Sequence, residues 1–295
     1  MKNIKTFISL TLALLITVWG SRQVVSQSAN QIPEVEQTSE VVLISEVEWS
    51  PLNPARGDQS PGAGTLWGDR TDSGASGFLV EFKEGFSSPP HIHNVTYRGV
   101  VINGLIHNDD PNAEKMWLPA GSFWTQPAGG VHITTANDTS NLAYIEIEEA
   151  PYLVLPTEEA FVSDDKPINV DESNIVWLDA SNFTGVDRLA MSASVNEAKV
   201  AFLWGNPQKD ELNGTLIKLP PGFNGKIQSS SSIFRAVVIQ GRPQYQALGT
   251  REKKILEPGS YFGSKGETVH QISSAVGEES IIYVRVDGKF DVTPT

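Results

Sequence analysis

The sequence predicts an all-β protein built as a tandem repeat of one sandwich or jelly-roll unit, on three observations. Short runs rich in Val, Ile, Phe, Tyr and Thr recur about every ten residues between Gly, Pro, Asn and Asp turn signals. Residues 77–82, 100–102, 142–147, 215–219 and 280–286 are examples. No stretch beyond the N-terminus carries a 3.6-residue apolar period with helix caps. The chain also matches itself. Leu66-Trp67-Gly68 aligns with Leu203-Trp204-Gly205, Gly85-Phe86 with Gly222-Phe223, and 97–104 with 234–241, all at an offset of 137 residues. Register kept over so long a span marks a duplication. Many short strands without helices make each copy a barrel or sandwich.

In chain order, residues 1–26 read as a secretory signal peptide. Lys2 and Lys5 precede an apolar run of 13 residues from Phe7 to Trp19, and small residues follow near Val24-Val25-Ser26. The run is shorter than the roughly 20 residues a spanning helix needs. The mature chain is therefore expected in the periplasm or secreted, without membrane insertion. Residues 27–40 are polar and are expected to form a flexible leader. The first unit is assigned to 41–150 and the second to 173–295, joined by an acid-rich linker at 151–172 that contains Pro156 and Pro167.

Composition narrows the partners. With 39% hydrophobic and 19% charged residues the chain is of ordinary globular make-up, and 295 residues suffice for two hydrophobic cores. The absence of cysteine excludes lipid-anchored export and disulfides. The net charge is −13, and a signal ending at Ser26 would remove three cations and no acid, leaving −16. Such a surface repels nucleic acid and anionic membranes.

Three of the five histidines fall in two linked motifs. The first runs from Gly85 to His91-Ile92-His93, and the second from Gly121 through Pro127 and Gly129 to His132. Side chains at i and i+2 of a strand share a face. A third imidazole from a later strand completes one side of a metal and leaves positions open for substrate or water. Hydrogen-bonded barrel histidines are the alternative, but three buried imidazoles without an ion are costly. A free histidine protonates near pH 6.5, so such a site is expected to release its ion in mildly acidic buffer.

These motifs resemble the two signatures of the cupin superfamily: Gly85, His91, His93 and Gly104, then Gly121, Pro127, Gly129, His132 and Asn137. The resemblance covers the first unit, and the second follows by internal similarity. It implies two tandem jelly-roll β-barrels, hence a secreted bicupin with a degenerate second copy. It is similar in texture to the anti-sigma-factor and diketone-dioxygenase branches. Metal-binding cupins carry a glutamate ligand three or four residues past the second histidine, where this chain has Tyr97 and Arg98. Phe234 stands at the place of Tyr97 in the second copy, so packing is favoured over ligation for Tyr97, and the site is read as three histidines holding a divalent Fe, Zn or Mn.

Other residues were weighed by comparing the copies. His107 has Gln244 as its counterpart and is expected at the rim or surface, with a fourth-ligand or acid/base role as the alternative. Gln228 and Ser230 replace the paired histidines in the second unit, so His270 is read as structural. Trp67 and Trp204 are equivalent and are assigned to packing. Trp124, Gln126 and Tyr144 are candidate pocket residues. The sequons at Asn94, Asn137, Asn182 and Asn213 carry little information. The resemblance implies a small-molecule, oxygenase-type enzyme. The alternative is a non-catalytic module that binds a small ligand or metal, and a homodimer is allowed by either reading.

Overall fold

A computed structural model describes residues 38–180, 197–209, 211–247 and 249–295. The expected signal peptide, all but the last three residues of the leader, and Asn182 lie outside them. Two antiparallel seven-stranded sheets dominate the chain. The first has the order Ile168–Val170, Phe123–Gln126, Tyr97–Asn103, Asn141–Ile147, Ser76–Phe82, Gly62–Trp67, Trp49–Pro51. The second has the order Thr38–Val42, Tyr261–Lys265, Ile233–Gln240, Ser280–Val286, Asn213–Leu219, Lys199–Trp204, Leu178–Asp179. Position for position these are the same sheet, as the internal repeat requires, and each forms one wall of a jelly-roll barrel. The described helices are short 3-10 turns, none long and apolar enough to cross a membrane.

The strands read as near-continuous apolar runs because both faces of each large sheet are covered. Phe78, Val80, Tyr97, Val101, Trp124 and Ile145 point into the first barrel. The alternating partners Leu79, Val100, Ile102 and Tyr144 point the other way and pack against Leu216, Val237, Ile239 and Tyr283 of the second unit. The two sheets thus share a third core between the barrels. At its centre the Trp67 Nε1 donates to Tyr144 (3.1 Å) and the Trp204 Nε1 to Tyr283 (2.8 Å). Both hydroxyls then donate to buried Glu146, at 3.1 and 2.8 Å. Arg285, aligned with Glu146 in the repeat, lies over the rings of Trp67 and Trp204.

The edge strands cross between units. Thr38–Glu40, expected as flexible leader, belong to Thr38–Val42 and pair with Tyr261–Lys265 of the second unit. Ile168–Val170, expected as linker, pair with Phe123–Gln126 of the first. Each connecting segment closes an edge that would otherwise be exposed, so the outer strands follow the sheets they cover rather than the repeat boundary.

The smaller walls of the barrels differ. In the second unit it is a continuous five-stranded sheet. In the first it is broken into the pairs Ile106–Asp109/Ile133–Ala136 and Ile92–His93/Val154–Leu155, bridged only at points such as His91 with His132. The wall opens where the histidines stand.

Candidate metal centre

Backbone pairing aims the three imidazoles. His91 and His132 exchange N–H···O=C bonds of 3.1 and 3.0 Å, which sets their rings side by side. His93 follows two residues on, and its strand pairs with Val154–Leu155. Gly129, at φ +72°, turns the chain before His132, and an added Cβ there would meet the Phe161 carbonyl at 2.5 Å. This turn needs glycine.

Each Nδ1 is bonded to a backbone carbonyl: His91 to Pro89 (2.9 Å), His93 to Leu153 (2.8 Å) and His132 to Gly130 (2.9 Å). The Nδ1 must therefore carry the proton, and every Nε2 presents a lone pair. The three candidate ligand atoms lie within 4.8 Å of one another, and all three histidines are buried. The Nε2 atoms of His91 and His93 are 3.2 Å apart. With both protons committed at Nδ1, two acceptors face each other, an arrangement a cation between them resolves. Burial pushes all three pKa values down, that of His132 to about 3, aided by the neighbouring imidazoles at His93 and His132 and by the Arg56 charge at His91, so the rings are held in the neutral form that binds metals.

Tyr97 stands beside the trio as a neutral phenol. Its hydroxyl donates to Asn108 Oδ1 (2.8 Å), lies 3.3 Å from His132 Nε2, and is pushed up in pKa by burial. Asn108 is fixed in turn by Thr134 (2.7 Å) and Gln126 (3.0 Å). The carboxylate usual at this place is thus replaced by an uncharged group in a closed hydrogen-bond chain.

Tyr152 is the residue that sequence reasoning missed. It belongs to the assigned linker, yet its hydroxyl donates to His93 Nε2 (3.0 Å) and its ring stacks on His93 with centroids 4.2 Å apart. Leu153 beside it supplies the carbonyl that fixes the His93 tautomer. The apolar run Tyr152-Leu-Val-Leu155 within an acidic stretch was the available signal.

Of the other singled-out residues, Trp124 lines the cavity above the trio. Gln126 is held behind it by Asn108, and Tyr144 lies between the barrels. His107, expected at the rim, is buried at 1% exposure, with Nδ1 3.3 Å from the Met116 carbonyl and its ring edge-on to Trp117. It faces away from the trio because its strand neighbours Ile106 and Asn108 face the barrel interior, Ile106 in the core and Asn108 on Tyr97. His270 is bonded by Tyr245 (2.9 Å) and Ser264 (3.1 Å), stacks on Phe234, and has no second imidazole near it. The cavity encloses about 310 Å³ and is walled by Val80, Phe82, Phe86, Ile145 and Leu155.

Residues 40–293 match the family model described as a domain of unknown function, DUF4437, and the chain belongs to that family. No curated protein matches it in sequence. A candidate dioxygenase from Nostoc punctiforme PCC 73102 is similar in structure at 15% identity, with 88% of this chain and 87% of that chain covered and a TM-score of 0.60. Protein Ylba from E. coli is similar at 12% identity, with 84% and 90% covered and a TM-score of 0.55. Salicylate 1,2-dioxygenase from Pseudoaminobacter salicylatoxidans is similar at 12% identity, with 88% and 86% covered and a TM-score of 0.54. At such identities the likeness concerns the fold, which is the cupin jelly roll.

Proposed function

We propose that this DUF4437 protein is a metal-dependent, oxygenase-type enzyme acting on a small molecule, with one divalent ion held by His91, His93 and His132. The observation that carries the reading is the set of three Nδ1–H···O=C bonds, which leave three neutral Nε2 acceptors converging under an apolar cavity. Carbonyl-fixed tautomers of this kind orient metal ligands. Three nitrogen ligands would leave positions open for substrate and dioxygen, and the ion would supply Lewis-acid and electron-transfer chemistry there. The dioxygenases among the structural neighbours support the choice of reaction class.

The chain's own residues supply the surroundings. Val80, Phe82, Phe86 and Ile145 exclude water from the reacting centre. Tyr97 and Tyr152 place two hydroxyls beside the nitrogens. Tyr152 donates to the His93 Nε2 that would hold the ion, and with that nitrogen ligated its hydroxyl would be available to a bound substrate. The second unit contributes stability through the shared core. We further propose an exported, mature chain whose partner is a small molecule rather than nucleic acid.

The test is elemental analysis together with an oxygen electrode. One metal per chain, lost in His91→Ala/His93→Ala, with dioxygen uptake that depends on Fe(II) and an added substrate, supports the reading. Metal binding without oxygen uptake against a broad substrate panel leaves a binding module and refutes the enzyme.

A further inference from the structure

The cavity above the histidines has one charged side chain in its wall among the described residues, Arg56, and no acid. This is unusual in a chain with 35 acidic and 22 basic residues. Arg70, Arg98, Arg235 and Arg242 have hydrogen-bond or ion-pair partners, Arg285 lies over the Trp67 and Trp204 rings, and Arg251 is exposed away from the cavity wall. The half-buried guanidinium of Arg56 has no hydrogen bond or salt bridge among the described residues.

A built loop carries it. Asn53 Oδ1 accepts from Ala55 N (3.1 Å), and Asn53 N donates to the buried Ser60 Oγ (2.8 Å). Ser60 N then closes on the Gly57 carbonyl at 3.0 Å. Both ends of the loop, at Leu52 and Pro61, also line the cavity. A guanidinium at an apolar wall without a protein counter-ion leaves its donors to a ligand, and a carboxylate is the ligand group whose planar, bidentate geometry matches it.

We propose that this cavity binds an apolar monocarboxylate, with Arg56 pairing with the carboxylate and the hydrocarbon body lying against Phe82, Phe86 and Ile145. The inference rests on the reading above for the role of the histidines and names the substrate class for that site. A volume of about 310 Å³ is at the small end of ligand pockets, which favours one-ring or short-chain acids.

The experiment is calorimetric titration of the full, metal-loaded chain with benzoate, phenylacetate and octanoate, each against its neutral amide. At least one acid is expected to bind tighter than its amide by roughly tenfold or more. Arg56→Met should abolish that preference and Arg56→Lys restore part of it, with metal content and unliganded melting temperature unchanged. If no acid outbinds its amide, or if Arg56→Met keeps the preference, the inference is overturned. Repeating the titration in chelator separates the two readings. An Arg56-dependent preference in a protein that takes up no metal even when loaded without chelator sustains the pocket and sinks the metal centre. A metal-holding, oxygen-consuming protein without that preference sinks the pocket alone.

Discussion

Acidification of the metal-free protein probes the burial of its histidines. Burial pushes His132 down to about 3 and His270 down to about 4, and it moves His91 and His93 in the same direction. The unfolded chain, in contrast, takes up protons near pH 6.5. Between these values the unfolded state binds more protons, so stability is complete above about pH 6.5 and falls as the pH drops toward the folded-state values. From pH 7.5 to 4.5, His132 and His270 each give up about two pH units of linkage, roughly 3 kcal/mol apiece. At roughly 2–4 °C per kcal/mol, the pair lowers the melting temperature by about 10–20 °C. Circular dichroism melts in EDTA across this range measure the drop. His270→Gln keeps a polar partner for Tyr245 and Ser264 but cannot be protonated, so the drop should shrink by that histidine's share, about 3 kcal/mol or roughly 5–10 °C. A melting temperature flat from pH 7.5 to 4.5, or a drop unchanged in His270→Gln, would refute the reasoning.

Three further outcomes are expected. His132→Ala should empty the metal site, whereas His270→Ala should leave metal stoichiometry unchanged, because only His132 has two imidazoles beside it; elemental analysis decides. Glu146→Leu removes the acceptor of two tyrosine hydroxyls and strands Arg285, at 7% exposure, in the inter-barrel core. A loss of about 3–5 kcal/mol is expected in urea unfolding, and a loss under 1 kcal/mol would show that the network is slack. Gly99→Ala places a Cβ 2.2 Å from the Trp124 ring, which must move into the cavity. Roughly 1–3 kcal/mol of stability should go with a quenched or shifted tryptophan emission, and unchanged fluorescence and stability would contradict this packing.

Local patterns made the strands, the duplication and the three histidines legible. Turn residues and short apolar runs report strand length directly, and a repeat is a property of the string itself. The spacing of His91, His93 and His132 survives as a motif because strand alternation converts i and i+2 into one face. The difference between His132 and His270 was readable too, since Gln228 and Ser230 stand where its partners would be.

Contacts between segments far apart in sequence were decided only in three dimensions. Tyr152 reached His93 because the linker folds back as a strand beside Ile92–His93. Linker composition reports solvation and carries no information about which edge a strand will cover. Parity leaves open whether Tyr144 lines the pocket, and packing places it between the barrels, because alternation chooses a face but not what packs against it. His107 was read as exposed for the same reason. Arg56 carried no motif, and its meaning came from a wall without acids and a loop closed by Ser60. Sequence determined which residues share a strand face, since that is geometry at short range. The tertiary structure decided which faces meet, and with that the tautomers, the neutral imidazoles and the charge placed over them.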